Sequence, residues 1–159
     1  MADTKTTSKR TRAARKAAPN VWTDEERAAM QASARERKAA SRRSPAEERA
    51  AGEEELQAKI AEMPEPDRAM AKRIHALVTD IAPVLVPKTY YGMPAYAKDG
   101  KVICFFKPKS KFKIRYATFE FQPDARLDDG EMWPVSFAVT KLTSGVEARI
   151  AELVKKAAG

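Results

Sequence analysis

Apolar residues recur at two spacings along this 159-residue chain, and the change from one to the other organises it. Met70, Ile74, Leu77, Val78 and Ile81 fall on one face at helical spacing. Pro83 and Pro87 end that helix, because proline lacks the donor a helix interior requires. From Lys88 the period becomes two. Tyr90–Tyr91, Ala95–Ala97, Lys101–Lys107, Lys111–Tyr116 with Phe119–Phe121, and Met132–Val139 then predict short antiparallel strands. Asp99-Gly100, set between Lys98 and Lys101, is a two-residue hairpin signal. Pro108-Lys109-Ser110 predicts the next turn. Helical spacing returns in Val146, Ile150, Leu153 and Val154, behind a cap at Ser144-Gly145-Val146-Glu147. The expected fold is α+β. An antiparallel sheet of about five short strands is flanked by an N-terminal-side helix and a C-terminal helix, with a helical and disordered N-terminal extension. The helices cover one side of that sheet and leave the other to solvent or a partner.

Ahead of this domain, expected over 63–159, the apolar pattern is thin. Thr23-Asp24-Glu25-Glu26 has the form of a capping box and predicts a helix to about Arg42, with Trp22 and Met30 as its large apolar groups. Ser44-Pro45-Ala46-Glu47 starts a second helix with a capping box and a proline at the first helical position. Leu56, Ile60 and Met63 give its second half a narrow stripe, and Gly52 weakens its middle. Residues 21–62 therefore form a charged helical extension. Residues 1–20 have no apolar periodicity and read as a disordered basic tail.

Charge sharpens this division. The chain carries 30 Lys and Arg against 22 Asp and Glu, a net charge of +8. Residues 1–20 alone hold six bases and one acid, so the excess describes the tail more than the domain. One cysteine, Cys104, excludes an intramolecular disulfide and suits a reducing cytoplasm. The longest uncharged runs, Thr89 to Ala97 and Met132 to Thr140, fall far short of the roughly 18 residues of a membrane-spanning helix. No membrane partner is expected.

Two stretches carry candidate chemistry. Residues 98–116 hold seven bases and one acid, and Lys107, Lys109, Lys111, Lys113 and Arg115 form a candidate surface for nucleic acid or another anion. In the expected strand Lys111–Tyr116 the aromatic side chains point away from the bases, which is also how a solvated amphipathic strand looks. Residues 117–131 reverse the sign. Glu120, Asp124, Asp128, Asp129 and Glu131 offer oxygen ligands that a hard cation such as iron or magnesium prefers. Asp128-Asp129-Gly130 also has the composition of a turn, and the two readings are compatible. His75, the single histidine, falls at the rim of its helix's apolar stripe and reads as structural or solvated. Cys104 lies in an apolar strand, where a thiol behaves as a small hydrophobe. There is no phosphate loop, no His-Glu-x-x-His and no nucleophile elbow, so nothing points to an enzyme.

The order of the pieces resembles a known family. An amphipathic helix leads to Tyr-Gly-Met-Pro-Ala-Tyr (91–96) and Lys-Val-Ile-Cys-Phe-Phe-Lys (101–107). Lys-Phe-Lys-Ile-Arg-Tyr-Ala-Thr-Phe (111–119), Leu-Asp-Asp-Gly-Glu-Met-Trp-Pro (127–134) and a C-terminal helix follow. Together, over about Pro64 to Lys156, they resemble the bacterial YdhG-like domain family of unassigned biochemistry, some members of which are described as frataxin-like intracellular iron chaperones. The resemblance implies a non-enzymatic cytoplasmic protein that binds iron, the one candidate cofactor, or a metal-delivery partner protein. Exposed carboxylates would hold the metal, either the five above or Glu53, Glu54 and Glu55. The alternatives are a nucleic-acid-associated or anion-binding protein using the tail and the Lys107–Arg115 strand, and a protein-interaction adaptor.

Overall fold

The computed structural model describes residues 21–159. The expected disordered tail, 1–20, lies outside them. Five helices and five strands follow in the order α1 (Asp24–Ala40), α2 (Pro45–Glu62), α3 (Asp67–Ile81), β1 (Val86–Tyr90), β2 (Met93–Lys98), β3 (Lys101–Lys107), α4 (Lys109–Phe112), β4 (Ala117–Phe121), β5 (Ser136–Val139) and α5 (Ser144–Ala158). The strands form one antiparallel sheet in the order β1-β2-β3-β4-β5, so each pairs with its neighbours in the chain. The α+β expectation holds.

Local sequence sets most element ends. Thr23 and Ser44 accept hydrogen bonds from the N–H groups of Glu26 and Glu47, whose carboxylates return the bond to the cap residues. Both capping boxes form as their sequences predict. Asp99 and Gly100 take positive φ values of 51° and 78°, and Lys98 faces Lys101 across the turn. Tyr91 and Gly92 do the same at 51° and 75° between the paired Tyr90 and Met93. Two such positions in a row match the twist of the flanking strands. Tyr91 is therefore a turn residue where strand alternation predicted a strand.

One sheet face and three helices enclose the main core. Leu56 and Ile60 of α2, Ile74 and Val78 of α3, Phe106 and Phe119 of the sheet, and Val154 of α5 are all at most 1% exposed or close to it. Burying each such side chain stabilises the fold by roughly 1.5–3 kcal/mol. The expected boundary between residues 62 and 63 is consequently not a break in packing, since α2 supplies part of the core. Gly52 lets its middle approach β1: a methyl built there would lie 2.0 Å from the Pro87 carbonyl oxygen.

The second sheet face is not left to solvent. A smaller apolar cluster of Met93, Ala95 and Phe105 sits there with Tyr90, Tyr91 and Phe112 packed around it. α1 crosses this face near β1, burying Ala29 and Ser33. Two polar contacts tie it down. Glu36 accepts the Gly92 N–H at 2.7 Å, and Glu25 pairs with Lys113 at 2.5 Å. An alanine-rich helix with few large groups still docks, because its short side chains let it lie flat on the sheet.

The expected strand over Lys111–Tyr116 does not form. Residues 109–112 make a helical turn, α4, and Lys113 follows in the left-handed region at φ 52°. The cause is remote in sequence. Asp67, the fully buried first residue of α3, accepts from both the N–H and the hydroxyl of Ser110. These charge-assisted bonds curl the chain before β4 begins at Ala117. Ile114, in the middle of this stretch, is 38% exposed.

Candidate anion-binding cleft

The broken strand redistributes the basic residues. Lys107 ends β3 with its ammonium 4.8 Å from the centre of the Phe112 ring. Lys109 opens α4, and Lys113 is taken by Glu25, which raises the lysine pKa. Arg115 lies over Tyr116 at 5.0 Å. The expected single basic face is thus dispersed, and one member of it is singled out.

Lys111 points into a cleft of about 260 Å³ between the end of α2, the Tyr91–Gly92 turn and α4. Lys59 and Glu62 form one wall, Pro108 and Ser110 the other. The Lys111 ammonium is half-buried, close enough to Gly92 that a methyl there would meet it at 2.8 Å. Among the described residues it makes no ion pair. The two carboxylates that act on it are engaged elsewhere, Glu62 with Lys59 at 3.4 Å and Glu36 with the Gly92 N–H. Burial first, and the Lys59 ammonium second, push the Lys111 pKa below the usual lysine range; Glu62 and Glu36 only partly offset this. A partly desolvated cation facing a second cation gains from any anion placed between them. Lys59 carries no pattern that sequence alone would flag, and Gly92, visible in sequence as part of Tyr-Gly-Met-Pro, joins it only through where the fold places it.

The acidic residues do not gather in the same way. Glu120, on β4, accepts from the Thr118 and Ser136 hydroxyls at 3.1 and 3.2 Å. Asp124 lies 3.6 Å from Lys101. Asp128, Asp129 and Glu131 are exposed around the turn in which Gly130 supplies a positive φ of 66°. Of the alternative set, Glu53 and Glu55 are bonded to His75 and Arg43, and Glu54 is exposed. Among the described residues no three His, Cys, Asp or Glu side chains form a group that could hold a metal ion.

His75 is buried and bonded at both ring nitrogens, to Glu53 at 2.7 Å and to the Tyr96 hydroxyl at 3.0 Å. This chain runs from a surface carboxylate to a buried phenol whose pKa burial drives well up. Its rim position matched the structural reading. Burial raises the Glu53 pKa, but hydrogen bonds from Gln57 and His75 outweigh it and leave the group below its ordinary 4.5. A carboxylate lowered on folding stabilises the native state above its unfolded pKa, and that contribution is lost as pH falls through the folded value. Urea unfolding of wild type and Glu53→Gln should therefore differ at neutral pH and converge below pH 4.5. A difference that widens in acid would contradict the assignment. Cys104, opposite Tyr96 on β3, is fully buried and its thiol pKa is pushed up by that burial.

Comparison of the chain with family models, curated proteins and solved structures finds no match. The YdhG-like resemblance rests on its motifs.

Proposed function

We propose that this chain is a non-enzymatic binding protein for an anionic ligand, held between Lys111 and Lys59. One observation carries the reading: a half-buried ammonium without an ion pair among the described residues lines a cleft beside a second lysine. Ser110 and the bare Gly92 turn line the rest of the cleft, but the Ser110 hydroxyl and the Gly92 N–H are already given to Asp67 and Glu36, so recognition of the anion falls to the ammonium groups. The iron-chaperone role implied by the resemblance has no comparable support, because the carboxylates it needs do not converge among the described residues.

Titration of inorganic phosphate into the full chain, followed by backbone amide resonances, tests this directly. Saturable shifts are expected at Gly92, Ser110 and Lys111, and Lys111→Met should weaken binding at least tenfold. Affinity should also fall as pH rises, starting below the ordinary lysine value of 10.5, because the depressed amine loses its proton early. Unsaturable or scattered shifts would rule the cleft out.

A further inference from the structure

A second hollow adjoins the cleft across α4. It is a groove of about 340 Å³ between α1 and the second sheet face. Aromatic rings dominate it: Tyr90, Tyr91, Phe105 and Phe112 from the sheet side, Trp22 from just ahead of α1. Tyr90 meets Tyr91 edge-on at 4.6 Å and Phe105 at 5.3 Å, so the rings form a continuous wall. Phe112 lines the groove and follows Lys111 of the cleft directly in the chain. The Lys111 ammonium lies 5.8 Å from its ring centre on the cleft side, and Lys107 lies 4.8 Å from it in the groove.

The two hollows differ in charge. The cleft presents Lys111 beside the Lys59–Glu62 pair, a net positive lining, whereas the groove carries Glu26 and Glu120 against Lys107, a net negative one. An anion is therefore repelled from the groove and drawn to the cleft. A flat group with amino donors suits the groove instead, stacking on the rings and donating to carboxylates. Glu120 already accepts two hydroxyl bonds, one on each oxygen, and each oxygen retains a lone pair.

Resting on the anion-site reading, we infer that the ligand is a nucleotide whose base carries an exocyclic amino group, with the base in the aromatic groove and the phosphate between Lys111 and Lys59. Stacking on aromatic side chains and carboxylate acceptance from the cytosine amino group are the interactions such a base makes with proteins. Free nucleotides and single-stranded nucleic acid share this chemistry.

Four titrations of the full chain separate the outcomes: inorganic phosphate, cytidine monophosphate, uridine monophosphate and a short oligodeoxycytidine. Cytidine monophosphate should bind at least tenfold tighter than phosphate and several-fold tighter than the uridine analogue, which presents a carbonyl where cytidine has its amino group. Trp22, 55% exposed and away from the cleft, can be changed without disturbing the core. Trp22→Ala should weaken the cytidine nucleotide at least fivefold and leave phosphate unchanged. Cytidine monophosphate binding no tighter than phosphate, equal binding of both nucleotides, or indifference to Trp22→Ala each overturns the inference while leaving the anion site in place. If neither phosphate nor nucleotide binds, both readings fall. Cytidine monophosphate binding that Lys111→Met leaves intact also overturns the inference. An oligonucleotide tighter than the mononucleotide identifies a single strand as the source, and equal affinities identify the free nucleotide.

Discussion

Gly52→Ala is expected to destabilise the protein by about 3 kcal/mol, although alanine gains about 1 kcal/mol over glycine in an ordinary helix interior. The sign follows from what the new methyl meets. Built on the α2 backbone, it would lie 2.0 Å from the Pro87 carbonyl oxygen and 3.1 Å from its carbon. Both are main-chain atoms of β1, so neither can rotate away. Relief requires α2 to lift from the sheet, which opens the packing around Leu56 and Ile60, both at most 1% exposed. Overpacking of this kind costs about 1–3 kcal/mol and more where backbone must shift. Urea unfolding should show a lower midpoint with an unchanged slope; a raised midpoint would mean that helix propensity governs position 52.

Asp67→Ala should cost about 2 kcal/mol and abolish phosphate binding together with it. Asp67 is wholly buried and holds Ser110 through the backbone N–H at 2.9 Å and through the hydroxyl. Removing the carboxylate strands a donor and frees α4 from its curled path. The loss is partly offset, because the other Asp67 oxygen has no hydrogen-bond partner among the described residues and is itself a burden. Since Lys111 is carried by α4, the cleft should lose its shape with the turn. Paired unfolding and phosphate titrations would detect both effects. Intact binding in a destabilised variant would show that Lys111 is placed by its contacts with α2 instead.

These two residues mark where the sequence was legible and where it was not. Thr23, Ser44 and Asp99-Gly100 act within a few residues, so the helix starts and the central hairpin could be read directly. The stripes of α3 and α5 were equally plain, because one face of each had to meet a core. Lys111–Tyr116 misled because its alternation is compatible with a strand. What decides its shape is Asp67, 43 positions earlier in the chain. Gly52 read as a weak point of a helix, when it is a point of closest approach. The candidate cleft was half visible: Lys111 stood among the basic residues, but Lys59 and the Tyr91–Gly92 turn join it only through folding. The acidic segment shows the converse, since residues close in sequence are spread around a turn and bonded to separate partners.

The meander also decides what the sheet does at its margins. With strands in chain order, β1 and β5 are the two outer strands, the places where another chain could add itself by backbone pairing. β1 contains Pro87, and β5 is four residues long with Pro134 just before it. A proline offers no N–H to an incoming strand, and a short strand offers little length to hold one. The same order that makes every pairing local thus leaves two poor templates at the rims, which protects the sheet against growth into aggregates.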